Sequence, residues 1–317
     1  MPTSHPSFII DAFTQTRFAG NPAAICLIPT VLRDLDYLKI AAEFNLSETA
    51  FPVPLDPSKG FKNSSEFSLR WFTPTVEYPL CGHATLATSH VLFNEIGNQN
   101  EELKFSTLSG ILKVRRDDKG NVEMNFPKYE TTSFKIEGIE NQLNGKFPEI
   151  PAPLFLLDLV KCAVPEEIPI EHVFYTLKDN LLFISLHPET TLKQFKSIKM
   201  DYTKLLEIDN SGYVKSLGLI VHPKNPKDQG FVDSEDRPFD YAYRDFAPWV
   251  GTNEDPATGS AQCAVAPFLS VLTGKTEFYA LQAFPGRGGI FRIRLDGDRV
   301  ILNGSSVTVM RGEIELD

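Results

Sequence analysis

The chain carries one local plan twice. A turn of small residues runs straight into an apolar helix, and a run rich in hairpins follows. The first copy is "LCGHATLATSHVLF" from Leu80 and then "LKFSTLSGILKVRRDDKGNVEMNFP". The second is "GTNEDPATGSAQCAVAPFLSVL" from Gly251 and then "FPGRGGIFRIRLDGDRVILNG". Gly82 and Gly259 are 177 positions apart, as are Gly120 and Gly297, while Gly110 and Gly289 are 179 apart. Self-similarity at a fixed spacing is the mark of a duplicated unit. Each half is therefore expected to bury one helix inside its own sheet, and a cleft between two such halves is the expected site. The length agrees, because 317 residues exceed what a single hydrophobic core normally holds.

Coarser features along the chain follow the same plan. "SFIIDAF" reads as a strand, and "LRDLDYLKIAAEFN" has helical spacing with Asn45 as its cap. "SETAFPV" and "FSLRWFTP" read as strands, turns are expected near Ser109-Gly110 and Lys119-Gly120, and Pro127 to Ser133 reads as a linker. The segment from Lys135 to Val250 carries no legible motif.

Composition narrows the function. With 42% hydrophobic and 23% charged residues the chain is an ordinary globular one. A net charge of −10 argues against nucleic-acid binding, which needs clustered Lys and Arg to neutralise phosphates. No apolar run approaches the ~20 residues that cross a bilayer, and the start lacks a secretory pattern, so no membrane is expected and the location is expected to be cytoplasmic. Cys26, Cys81, Cys162 and Cys263 form no CxxC pair, which argues against a metal site and a disulfide framework. "LTGKT" lacks the glycine that a phosphate-binding loop requires, and "GRGGIF" reads as a turn into a strand.

Both copies of the plan place a small-residue turn on a helix start, where backbone N–H groups meet the positive end of the helix dipole. A carboxylate is the ligand such a site favours. The donors would come from Gly82, His83 and Ala84 in one copy and from Thr258, Gly259 and Ser260 in the other. The bland alternative is a pair of well-capped buried helices. Titratable groups stand beside these donors: His83 in the first copy, Glu254 and Asp255 in the second. Glu48, in "NLSETAF", is a further candidate. A lone Glu after a helix is ordinarily a solvated surface residue, but Thr49, Ala50 and Phe51 follow it, and a partly desolvated carboxyl there suits general acid–base work.

"FAGNPAAIC", "NLSETAF", "LRWFTPTVEYPLCGHATLA", "EDPATGSAQC" and "GRGG" together resemble the phenazine-biosynthesis PhzF-like isomerase family, which has the diaminopimelate epimerase-like fold. The resemblance covers nearly the whole chain and is weakest from about Glu130 to Val250. It implies an α+β fold of two pseudo-symmetric domains, each a β-roll wrapped around a central helix. We place the first at 1–128, with its helix near 82–94, and the second at 129–317, with its helix near 259–272; the last strand is free to return to the first domain. The resemblance also implies a cofactor-free site. Glu48 matches the glutamate that shuttles a proton between substrate carbons; His83, Asp255 and Ser260 match the other motif residues. Catalysis is thus assigned to Glu48, His83 and Asp255, and substrate binding to Gly82, Gly259, Ser260 and Thr258, with no metal. The expected partner is a small carboxylate-bearing substrate; a homodimer is left open.

Racemases on this fold use two opposed cysteines, each before a glycine at a helix start. Cys81 has the first such place, but the repeat puts Thr258 at the second. A threonine hydroxyl is too weak an acid to replace a thiol, so Cys81 is expected to be a packing residue. Two rival readings stay open: an amino-acid epimerase working through Cys81, and a non-catalytic interaction protein on the same scaffold.

Overall fold

The computed structural model describes residues 2–117, 120–134, 136, 143 and 145–316. It is a mixed α+β protein with more strand than helix, and the chain forms two compact units. One is Met1–Phe126 with Arg287–Ile290 and Arg299–Asp317; the other is Pro127–Gly286 with Phe291–Asp298. Among the described residues no helix is long and apolar enough to cross a membrane. Lys119, expected in a turn, lies outside the described residues.

In the first unit the strand Ser306–Leu316 pairs with Thr3–Ala12, which pairs in turn with Asn21–Cys26. The sheet continues through Glu48–Pro54 and Glu66–Phe72 to the hairpin strands Glu102–Thr107, Gly110–Arg116 and Val122–Pro127. These strands surround the helix Gly82–His90, which packs on Thr3–Ala12, Asn21–Cys26, Glu48–Pro54 and Ser306–Leu316. Every residue from Gly82 to Ser89 is buried. Small side chains let the strands approach, and the hydroxyls are satisfied inside the helix: Thr85 donates to the Cys81 carbonyl, Thr88 to Ala84 and Ser89 to Thr85. That pattern lets polar residues occupy a core without stranded donors. Gly304 matters here for space, because a Cβ on it would sit 2.7 Å from Leu86 Cδ2 and 2.8 Å from Phe13 Cδ1. The helix then passes into a π-helical segment, Val91–Glu95. Outside the sheet the helix Asp34–Phe44 buries Tyr37, Ile40 and Ala41 against Phe51 and Phe72.

The second unit begins where a linker was expected. Thr132–Phe134 is a strand, pairing with Ile170–Thr176, because Ser133 and Phe134 are buried partners in the sheet. The segment without motifs supplies most of this unit: the strands Ile170–Thr176, Leu181–Leu186, Ser216–Val221 and Tyr241–Ala247. Alternation explains their apolar sequences. Phe174 and Phe183 stack on each other, and Phe174 stacks on Phe268 of the helix Gln262–Thr273. Val173, Tyr175, Leu182 and Ile184 point the other way, into a core capped by the helices Leu156–Ala163, Leu192–Ser197 and Tyr202–Ile208. Both faces are buried, so the strands lack the polar alternation that would have announced them.

Candidate functional site

Glu48 opens its strand immediately after the helix Asp34–Phe44, which ends on Asn45 in the left-handed conformation (φ 51°). The strand runs parallel to Asn21–Cys26, with Glu48 opposite Ala23. Glu48 is 6% exposed, and so is His83. The Ser47 hydroxyl lies 3.3 Å from His83 Nε2 and donates to Asn21 Oδ1 and the Pro22 carbonyl. On the other side of the ring, Cys81 Sγ is 3.3 Å from His83 Nδ1. The imidazole is therefore held at both nitrogens.

The backbone at this helix start has the expected form. Cys81 is extended (φ −134°, ψ 114°) and no side chain caps the helix. The intrahelical ladder begins with the Thr85 N–H on the Cys81 carbonyl, at 3.2 Å. The N–H groups of Gly82, His83 and Ala84 lie ahead of that first rung, where geometry directs them out of the helix end. Cys81 is buried as expected, but packing alone does not describe it, because its thiol is a partner of the histidine.

The second unit differs at the matching place. Its central helix runs Gln262–Thr273, starting three residues after Gly259. Gly259 and Ser260 form a tighter turn, whose carbonyls accept from the N–H groups of Gln262 and Cys263 at 3.2 and 3.0 Å. A 3₁₀-like entry of this kind is a frequent way to start a helix. Thr258 also departs from expectation. Its N–H donates to Gln282 Oε1 at 2.7 Å, so this donor is already committed, and its hydroxyl donates to Asp255 Oδ2. Gln282 completes the arrangement, its Nε2 donating to the Asp255 carbonyl at 2.8 Å and to Thr258 Oγ1 at 3.0 Å. Gln262 Nε2 donates to the Thr258 carbonyl at 3.2 Å. Thr258 thus orders Asp255.

Glu254, a candidate from sequence, is taken up elsewhere. Its carboxylate receives both Nε and Nη2 of Arg244, at 2.7 and 3.0 Å, while Nη1 of the same arginine donates to the Phe195 and Ile198 carbonyls. Bidentate pairing with a buried guanidinium makes this a structural contact.

Ser47 and Asn21 border Glu48 and His83, and both stand inside motifs already quoted, so their neighbourhood was the available signal. Gln282 gave none, since its partners Asp255 and Thr258 lie 27 and 24 residues away in the chain.

These features have relatives. The model of the phenazine biosynthesis-like protein family, PhzC-PhzF, matches residues 10–312. The mouse phenazine biosynthesis-like domain-containing protein 1 is 39% identical over 310 residues, 98% of each chain. An uncharacterised isomerase of Halalkalibacterium halodurans is 35% identical over 313 residues, again 98% of each. A crystal structure of a PhzF-family phenazine biosynthesis protein from Enterococcus faecalis superposes with a TM-score of 0.77 at 28% identity, covering 99% of this chain and 100% of that one. By motif, by extent and by fold, the chain belongs to the phenazine biosynthesis-like family.

Proposed function

We propose that this protein is a cofactor-independent isomerase that moves a proton on a small carboxylate-bearing substrate, amino acid-like or cyclic. The observation that carries the reading is the setting of Glu48: a carboxyl only 6% exposed, whose chain neighbour Ser47 contacts His83 at 3.3 Å. A carboxyl withdrawn from bulk water can hold an abstracted proton long enough to return it, and Glu48 acts as base and then as acid. His83 and Asp255 orient the substrate's amino or hydroxyl group and assist that transfer. The backbone donors at Gly82, together with Gly259 and Ser260, hold the carboxylate, the group helix starts favour. Family relatives that bear the name isomerase support the reaction class.

A second reading is favoured by one observation, the contact of the Cys81 thiol with His83 Nδ1. Imidazole next to a thiol favours the thiolate, the form that removes an α-proton in thiol-dependent epimerases. The two readings part in one experiment. The parent protein, Glu48→Gln and Cys81→Ala are each incubated in D₂O with a panel of small amino and hydroxy acids, and deuterium uptake is followed by mass spectrometry. The proposal expects uptake with the parent and with Cys81→Ala, and none with Glu48→Gln. Uptake that survives loss of Glu48 and disappears with Cys81 transfers the chemistry to the thiol.

A further inference from the structure

The strand Tyr241–Ala247 makes two contacts to acidic residues of Thr252–Asp255, and they are built in opposite ways. In one, Glu254 pairs diagonally with Arg244, and the charges cancel. The other sets Asp245 directly across the ladder from Asp255, acid against acid. Directly opposed residues hold their Cβ atoms roughly 4.5–5.5 Å apart, where two like charges repel. Asp245 is 3% exposed. Its Oδ1 accepts the hydroxyls of both Ser216, at 2.6 Å, and Tyr243. Neutral donors therefore surround it where Glu254 has a guanidinium.

A space has been left for this arrangement. Gly218 is the residue opposite Asp245 on the neighbouring strand. A Cβ on Gly218 would lie 2.5 Å from Tyr243 Cε2 and 2.8 Å from the Tyr243 hydroxyl oxygen. The absent side chain is what lets the phenol lie over the strand and reach Asp245.

We propose that Asp245 is the positioning residue of the second unit's half-site, a carboxyl that keeps its proton so that the rung bears a single negative charge, carried by Asp255 and anchored by Thr258. This deepens the isomerase reading and rests on it only for the role of Asp255 in catalysis. The groups facing Asp245 can be named element by element. Its own strand offers the Tyr241 and Tyr243 phenols, and Ser216–Val221 offers the Ser216 hydroxyl. Asp255 and Glu254 come from the Thr252–Asp255 strand. One step further out, the central helix holds the Tyr241 hydroxyl through the neutral amide of Gln262, and Glu277–Gln282 holds Thr258 through the neutral amide of Gln282. Burial first, and then the facing charge of Asp255, raise the Asp245 carboxyl from its ordinary 3.8 to about 7, although the Ser216 and Tyr243 hydroxyls pull the other way. Both phenols are pushed well above 10, foremost by burial, and stay neutral donors.

When Asp245 ionises, its proton goes to solvent and a second charge appears on the rung. Asp255 then faces a like charge, and its hold on a substrate's amino or hydroxyl group is disturbed. Proton transfer by the enzyme should accordingly decline as pH rises past the ionisation of Asp245.

The test needs no substrate for its first part. Protein labelled with carboxyl-¹³C aspartate is titrated by isotope-edited infrared spectroscopy, and the Asp255 carboxyl is followed by NMR. An un-ionised aspartic carboxyl should be visible below about 7 and vanish above it, and the Asp255 resonance should step at that same pH. Asp245→Asn should remove both signals. Ser216→Ala should move both to higher pH, since it deletes a hydroxyl that favours the charged form; this variant and the titration of the labelled parent stand even if Asp245→Asn folds poorly. Absence of any un-ionised aspartate below 7 in the parent overturns the proposal, as does an Asp255 step that persists in folded Asp245→Asn. In the second part, deuterium exchange by the parent should fall on the alkaline side, and Asp245→Asn should flatten that limb. Intact spectroscopic steps without any exchange would sink the isomerase reading and leave the proton on Asp245 established.

Discussion

The two helix starts are related by the repeat, yet their chemistry is different. At Gly82 the entry is a direct one: an extended Cys81, a ladder that begins at Thr85, and an imidazole held between Ser47 and the Cys81 thiol. At Gly259 a tighter turn comes first, and Asp255, Thr258 and Gln282 are bound into one hydrogen-bonded group ahead of the helix. The first is arranged around an imidazole contacted at both nitrogens, the second around a carboxylate held in place. The two share small residues at the helix start and differ in the side chains around it.

The largest effect that would break this comparison is at Glu48. Glu48→Gln keeps the shape and removes the exchangeable proton, so turnover should fall by roughly 10²–10⁴ while the thermal midpoint stays near the parent's. A rate within a few-fold of parent would mean that the first half-site does not act through this carboxyl.

Next comes the pH dependence of stability. The folded chain keeps a proton on Asp245 that the unfolded chain releases above the ordinary value of 3.8. Asp245 therefore contributes its full stability below that value, and the contribution is lost as pH rises to about 7. Asp245→Asn should flatten this part of the profile, by an amount on the order of a few kcal/mol. Denaturant unfolding of both proteins across that window checks it; parallel profiles would show that Asp245 does not hold a proton.

Thr258→Val sharpens the second half-site. It removes the hydroxyl that donates to Asp255 and accepts from Gln282 Nε2, the first of these a contact to a charged group worth about 1.5–3 kcal/mol. Binding of a carboxylate ligand or the rate should drop roughly ten- to a hundred-fold by the corresponding conversion. Calorimetry beside exchange kinetics separates the two, and an unchanged variant would mean that Thr258 only fills space. The smallest effect belongs to Cys81→Ala: about 1 kcal/mol of stability from lost packing, with the rate nearly unchanged. A collapse in rate at constant stability would make the first half-site a thiol site.

How much of this was legible in the sequence depended on the range of the contacts. The buried helices were marked by runs such as "GHATLATSH", whose small residues and internally satisfied hydroxyls leave no polar face. Glu48 and His83 were visible because each stands in a local motif. The commitment of Thr258 was not, because it depends on Gln282 across a sheet. Likewise Glu254 and Asp255 are adjacent in sequence and look equivalent, but strand alternation sends one to Arg244 and the other to Asp245. Pairing decides which acid is structural, and pairing is long-range. The strands between Ile170 and Ala247 were missed for a related reason, being apolar on both faces.

The central claim is that one carboxyl both removes and returns the proton. It is tested most directly with a substrate carrying deuterium at the carbon that loses it, converted in ordinary water. A single buried base predicts that part of the label reappears at the receiving carbon of the product, because Glu48 holds it away from bulk solvent between the two steps. Complete loss of label together with inversion at the α-carbon would contradict the account and require two bases on opposite faces.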